Sequence, residues 1–285
     1  MINADTKIIA DSTCDLTEEL LEKYEITIVP LCIVMDDKSY YDRTEVTPEE
    51  IFRWSEEHKT TPKTAAISME KALEAAGPYI KEGRDVIFIG ISEEMSTTCN
   101  VMRLAAAELE TDRLFVIDSR SLSTGIGLQV LRAAELAKTG MPAEEIVKAI
   151  EETKDKVRAS FVVDTLTYLA RGGRCTAATA LLANTLKLKP RIEVKDGKMG
   201  VEKKYRGALD KVILKYTKDM EEDLLRADGR RVFITHSGCD RAVVEQVRTY
   251  LEGLGKFQEI IETRAGGVIS SHCGPGTLGV LFFLK

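Results

Sequence analysis

The chain has 285 residues, 44% of them hydrophobic and 30% charged, with a formal net charge of -6. This is the composition of a globular protein of one large or two ordinary domains, and its acidic balance gives no general attraction to nucleic acid or an anionic membrane. No apolar run reaches the ~18 residues of a spanning helix, which argues against integral membrane association.

The opening "MINADTKIIADSTCD" lacks the basic region and apolar core of a signal peptide, so a cytoplasmic protein is expected. "KIIA" at 7–10 predicts a buried strand, followed by the turn "DSTCD" and a helix from about Thr17. "ITIVPLCIVM" reads as strand interrupted at Pro30, because proline has no N–H for a ladder. "DDKSYYDR" reads as a polar turn leading into a short strand. Thr47, Pro48, Glu49 and Glu50 supply a cap, a first-position proline and early acids for a helix ending near His58. "TTPKTAA" reads as a loop, and helices are expected over 67–79, 100–109, 126–137 and 143–154, with strands in "DVIFIG" and "RLFVID". Short apolar strands alternating with helices predict a mostly parallel sheet covered on both faces, over a first domain of residues 1–155.

The expected second domain, residues 156–285, has a different texture. "ASFVVD" predicts a strand, "TLTYLARGGR" a short helix and glycine turn, and "AATALLANTL" a helix. "KPRIEVKDGKMGVEKKYRG" predicts two strands joined by a hairpin, for which Asp-Gly is a strong signal. A helix over 208–225, a strand in "RRVFITHSG", a helix over 241–251, a strand in "FQEIIETRAGG" and an internal strand in "GTLGVLFFLK" complete the pattern. The fold class expected is α/β in two domains: a parallel sheet with helices on both faces, then a mixed sheet with helices.

Six cysteines without a CxxC pair, in a chain this long with no export signal, argue for thiols in tight or buried places over disulfides or a structural zinc site. Ligands in such folds sit beyond the carboxyl ends of parallel strands. The small polar loops that fall there are 11–13, 92–98 and 118–124, and "TPKTAAIS" at 61–68 reaches the same rim. In "ISEEMSTTC" hydroxyls precede a helix, where exposed N–H groups and the helix dipole favour an anion; Ser96 or Thr97 donating to one and ordinary capping both remain open. Asp11 lacks the second acid two residues on that phosphatase chemistry wants, and is expected to order its loop. "STGIGLQV" misses the dinucleotide fingerprint and no phosphate-binding P-loop occurs. His58 reads as a surface residue; His236 and His272 follow turns, and nothing marks a nucleophile elbow. Arg171 and Arg174 flank two glycines and are suited to clamp an anion or pair with acids.

Taken together, "DSTCDL" at 11–16, "TPKTAAIS" at 61–68, "ISEEMSTT" at 91–98, "VIDSRSLSTGIG", "LTYLARGGR" at 166–174 and "SSHCGPGTLG" at 270–279 resemble the DegV family of fatty-acid-binding proteins over nearly the whole chain. The resemblance implies two α/β domains holding one long-chain fatty acid, with Thr64 and Ser96 on its carboxylate. It places Arg171, His272, Thr97 and Ser68 around the head group or at a partner contact. It implies no cofactor and no catalytic residue of the chain's own. It also implies a separate ATP-dependent fatty acid kinase subunit, to which the lipid is presented for acyl-phosphate formation.

Tail-lining candidates beside the marked loops are Ile33, Met95, Leu166 and Leu169. Two departures from the family pattern stand out: Ala65-Ala66-Ile67 where Ser-Gln-Pro is usual, and Thr97 where glycine is usual. The alternatives are a stand-alone lipid or ester hydrolase, needing a serine and an acid around His236 or His272, and a fatty-acid store or sensor without a kinase. A free monomer is expected.

Overall fold

The computed structural model describes residues 6–181 and 188–285. In its first half β1 (Lys7–Asp11) leads through a 3-10 turn (Ser12–Cys14) to α1 (Glu18–Tyr24) and β2 (Thr27–Val29). Then come β3 (Cys32–Met35), β4 (Lys38–Tyr41), α2 (Pro48–His58), β5 (Lys63–Ala65), α3 (Met69–Lys81), β6 (Val86–Gly90), α4 (Thr98–Glu108), β7 (Leu114–Asp118), α5 (Thr124–Lys138) and α6 (Ala143–Glu151). The second half holds β8 (Val157–Val162), α7 (Thr167–Gly172), α8 (Thr176–Leu181), β9 (Leu188–Lys195), β10 (Lys198–Arg206), α9 (Leu209–Asp219) and α10 (Glu221–Arg226). It ends with β11 (Ala227–His236), α11 (Arg241–Gly253), β12 (Glu259–Arg264), α12 (Gly267–Cys273) and β13 (Leu278–Leu284).

β2-β1-β6-β7 form a parallel four-stranded sheet. β10-β9-β8-β13-β11-β12 form a mixed six-stranded sheet, whose one parallel pair is β11 with β12. The expected α/β architecture is therefore present. Pro30 does end β2, and the chain beyond it enters a different, antiparallel sheet of order β4-β3-β5. That sheet corrects the reading of "TTPKTAA" as loop: three residues of it pair with β3, Thr64 opposite Ile33. So short a strand, with lysine and threonine in it, carries no apolar alternation to reveal it.

Other boundaries shift for local reasons. α4 begins at Thr98, two residues before the periodicity suggests. The helix expected over 208–225 is two helices, parted at Met220 (φ -94°, ψ 6°), with Glu221, Glu222 and Asp223 favouring a new N-terminus. Of the helix expected over 177–186, the first part lies in α8 and residues 182–186 lie outside the described residues.

α12 was not foreseen at all. Its sequence, GVISSHC, begins with glycine and holds two serines, poor material for a helix. Its end is held from the other half of the chain. Asp15 Oδ1 accepts from Gly266 N at 2.8 Å, and Asp42 Oδ1 accepts from Gly267 N at 2.7 Å. Asp42 also accepts from the Ser12 hydroxyl at 2.7 Å, and Asp15 from Ser123 at 2.5 Å. Asp11 orders its own loop and the next, accepting from Thr13 N at 2.9 Å and Ile91 N at 2.7 Å. Burial pushes Asp11 up to about 6 and Asp15 up to about 7, and raises Asp42.

α5 joins the two sheets. It packs on β1 and β6 of the parallel sheet and on β8 and β13 of the mixed one. Every residue from Thr124 to Leu131 is buried. The one polar amide in that run, Gln129, donates to Ser119 O at 2.9 Å and Gly125 O at 3.1 Å. All six cysteines are free thiols, with Cys14, Cys99, Cys175 and Cys273 buried.

Candidate functional site

A cavity of about 530 Å³ opens where β5, the loop after β6, α12 and the β9–β10 hairpin converge. α12 contributes Val268, Ile269, His272 and Cys273. Their spacing places them on one helical face, so a single short helix supplies both apolar wall and a polar ring.

At the polar end, Thr64 Oγ1 lies 2.8 Å from His272 Nε2. Burial, reinforced by the nearby Arg174 cation, pushes His272 down to about 4, so the ring is neutral at neutral pH. Its Nδ1 is buried and has no hydrogen-bond partner among the described residues. An orphaned N–H costs more than an unshared ring lone pair, which favours the proton on Nε2. Nε2–H then donates to Thr64, and the threonine O–H is left to donate into the cavity. Gly172 permits this packing: a Cβ there would fall 2.1 Å from His272 Nδ1. Gly173, at φ 69°, closes α7 in the left-handed region and donates its N–H to Leu169 O at 3.2 Å. The two glycines of "RGGR" thus do different work.

The hydroxyls of "ISEEMSTT" also divide their tasks. Ser92 Oγ donates to Gly197 O at 2.7 Å, pinning the tip of the β9–β10 hairpin. Ser96 Oγ pairs with Thr98 Oγ1 at 2.9 Å and accepts from Thr98 N at 3.3 Å. Thr97 is the N-cap residue of α4 and makes no side-chain cap bond. Its φ of -86° is unstrained, so a side chain is accommodated there. Ala65 and Ala66 line the wall, while Ile67 turns into the core.

Thr64, Met95, Ser96, Thr97 and His272 are thus gathered around one cavity. Ser68 is outside its wall; it caps α3, accepting from Lys71 N at 3.1 Å. Arg171 is exposed on the last turn of α7, and Arg174 takes a place in the wall. Arg174 donates to Gly172 O at 2.8 Å and Met95 O at 3.4 Å. Ile33, Leu166 and Leu169 do not line the cavity: all three are buried in apolar clusters, Ile33 against the backbone of Gly267. An apolar residue beside a marked loop becomes ordinary core unless the backbone turns it toward the opening. Sequence reasoning missed Leu122, Met199 and Ile269 as wall residues. The i, i+4 spacing of Val268 and His272 would have signalled the α12 face, had the helix itself been visible.

His236 ends β11 with Nε2 3.4 Å from Glu262 and Nδ1 accepting from Cys239 N at 3.3 Å. Neither His236 nor His272 has a serine among its hydrogen-bond partners in the described residues. Among those residues no group of histidine, cysteine and acid side chains is arranged to hold a metal ion, and no helix is long and apolar enough to cross a membrane.

A family model described as an uncharacterised protein of the DegV family matches residues 5–285. The chain belongs to the DegV family. A DegV domain-containing protein of Clostridium perfringens is 33% identical to it over 276 residues, 97% of each chain. Among solved structures, a fatty-acid-binding DegV family protein from Thermus thermophilus superposes with a TM-score of 0.88 at 31% identity, covering 99% of this chain and 100% of that one. A stearic-acid-binding protein from Eubacterium ventriosum superposes with a TM-score of 0.84 at 25% identity, covering 98% of each.

Proposed function

We propose that this DegV chain binds one long-chain fatty acid in the cavity enclosed by β5, the loop after β6, α12 and the β9–β10 hairpin, and presents it to a separate ATP-dependent kinase subunit, which forms the acyl phosphate. The observation that carries the lipid part is the Thr64–His272 pair at one end of an otherwise largely apolar cavity. A carboxylate there receives the Thr64 O–H. The Ser96 O–H joins it once the Thr98 hydroxyl donates to Ser96 Oγ. Arg174, in the same wall, offsets the negative charge. The volume of about 530 Å³ suits a lipid of this class. Each buried methylene contributes about 0.8 kcal/mol, so a tail of ~16 carbons contributes roughly 10 kcal/mol before the costs of association. Most of the affinity therefore comes from the tail, and the hydroxyls set direction and add a smaller share.

The likeness to the fatty-acid-binding protein of Thermus and the stearic-acid-binding protein of Eubacterium supports the same ligand class. Presentation to a kinase is carried by the family resemblance and by the exposed Arg171 beside the site. The test combines the chain, a fatty acid kinase subunit and ATP, and follows acyl phosphate. Arg171→Ala is expected to keep lipid affinity while losing most acyl-phosphate formation. Lipid binding with no acyl phosphate from the native chain would leave the lipid reading and refute the kinase one.

A further inference from the structure

A second cavity, of about 550 Å³, lies between the C-terminal half of α5 and the start of β11. It has no described wall residue in common with the 530 Å³ cavity. One wall is a single face of α5: Leu128, Arg132, Glu135 and Leu136 follow one another at three- and four-residue spacing. The facing wall is an irregular piece of strand. The ladder between β11 and β13 is broken between Ala227 and Val232. Gly229 there takes φ 80°, and Asp228 Oδ1 accepts from Arg230 N at 2.9 Å. A regular strand would send Arg230 and Arg231 to opposite faces. Here both reach Glu135, at 2.6 and 3.0 Å. The bulge therefore turns two consecutive guanidinium groups into one cleft.

Four cations of the wall face two carboxylates, Glu135 and Asp228. Three of the four are engaged. Arg230 and Arg231 share Glu135, and Arg231, almost fully buried, is also held by Glu259 at 2.8 Å from outside the wall. Lys138 donates to Lys23 O at 2.7 Å and lies over the Tyr24 ring. Arg132 differs. It has no carboxylate partner among the described residues and lies over the Phe283 ring, 5.6 Å from its centroid. A guanidinium laid on a ring keeps the donors along its edge. Arg132 also stands almost two turns before the end of α5, beyond the reach of the negative end of the helix dipole. Leu128, Leu136 and Phe283 add an apolar floor. The ion pairs of Glu135 suffice to tie α5 to β11. They leave unexplained an unpaired guanidinium set over an aromatic ring in the same cleft.

We propose that this cleft is a second ligand site, for a small phosphate monoester carrying an apolar body, with Arg132 its principal anion contact and Arg230 the second. The inference does not rest on the fatty-acid reading. The wall carries an excess of positive charge, which Glu259 offsets only in part. A phosphate monoester brings about -1.5 to -2 near neutral pH, against a single charge for a carboxylate. The phosphate takes the free edge of Arg132 and competes with Glu135 for Arg230, while the apolar body covers Leu128, Leu136 and Phe283. The cavity volume is that of a small-molecule site.

The test is isothermal titration at low ionic strength of phenyl phosphate, inorganic phosphate and benzoate into the native chain, Arg132→Gln and Arg132→Lys. Phenyl phosphate is expected to bind saturably to the native chain. Inorganic phosphate, which leaves the floor uncovered, is expected to bind at least about tenfold more weakly, and benzoate more weakly than phenyl phosphate. Arg132→Gln is expected to cost phenyl phosphate about tenfold or more, and Arg132→Lys, which keeps the charge but not the fork, less than that. No saturable binding of phenyl phosphate up to millimolar concentration overturns the proposal. So does native affinity in Arg132→Gln, or benzoate binding as tightly as phenyl phosphate. Should Arg132→Gln not fold, as circular dichroism would report, Arg230→Gln decides in its place and must also weaken phenyl phosphate.

Discussion

Thr64 and His272 meet at 2.8 Å although 208 residues separate them. Both were visible in the sequence as parts of family motifs; their contact was not, because it depends on a helix and a strand that local patterning hides. Thr64→Val removes the hydroxyl and keeps the shape. A hydrogen bond to a charged group is worth about 1.5–3 kcal/mol, so isothermal titration should show fatty-acid affinity falling roughly tenfold to a hundredfold. Gly172→Ala is a second test of the same pair. Its Cβ has no room beside His272 Nδ1, so the ring must move and lipid affinity should fall at least tenfold while the far-ultraviolet circular dichroism stays native. Native affinity in Gly172→Ala would mean that the His272 ring position does not matter. Arg174 carries a lesson at this scale as well. The "RGGR" sequence offers two arginines of equal chemistry, both exposed, and only the path of the turn decides that Arg174 also enters the wall while Arg171 does not.

α12 is the element on which the site depends, and its stability lies in carboxylates from the opposite half. The strands and long helices of the chain announce themselves by apolar periodicity, as do β1, β6, β7 and β13. α12 and β5 do not, since long-range capping and short antiparallel pairing leave no local pattern. The carboxylates give the element a pH signature. Asp15, raised to about 7, binds its proton more tightly folded than unfolded, where it titrates near ~4. Its contribution is therefore complete below about pH 4 and is lost as pH rises through about 7. Asp11, raised to about 6, acts in the same direction. In Asp15→Asn the fall in thermal midpoint between about pH 5.5 and about pH 8 should be smaller than in the native chain, by about 2–4 °C for each ~1 kcal/mol removed. An identical pH profile would remove Asp15 from this role. The β9–β10 hairpin is a second element, latched to the loop after β6 by Ser92 and by the exposed Lys198–Glu94 ion pair at 3.3 Å. Ser92→Ala deletes the bond to Gly197 O, and hydrogen exchange of the hairpin tip should quicken about fivefold or more with little change elsewhere. Unaltered exchange would mean that packing and the ion pair hold the tip.

The whole molecule is tied together by α5, which faces both sheets, and by an apolar cluster that runs from Ile8 and Ile87 to Phe161 and Phe233. The alternating first half and hairpin-bearing second half are apparent in the sequence, but a helix shared between them is not, because an all-round apolar helix looks the same whether one sheet covers it or two. Such sharing predicts cooperative unfolding: Trp54 fluorescence, which reports on α2, and far-ultraviolet circular dichroism should give one coincident thermal transition. Two separated transitions would mean that the halves melt independently.

Lipid occupancy is the claim on which the reading of the site depends. The chain purified without detergent should be weighed by native mass spectrometry and then extracted with organic solvent. The account predicts one bound long-chain fatty acid per chain, released on denaturation and lost preferentially from a Thr64→Val, Ser96→Ala double variant. A chain that is empty as purified and refuses added fatty acid would contradict it.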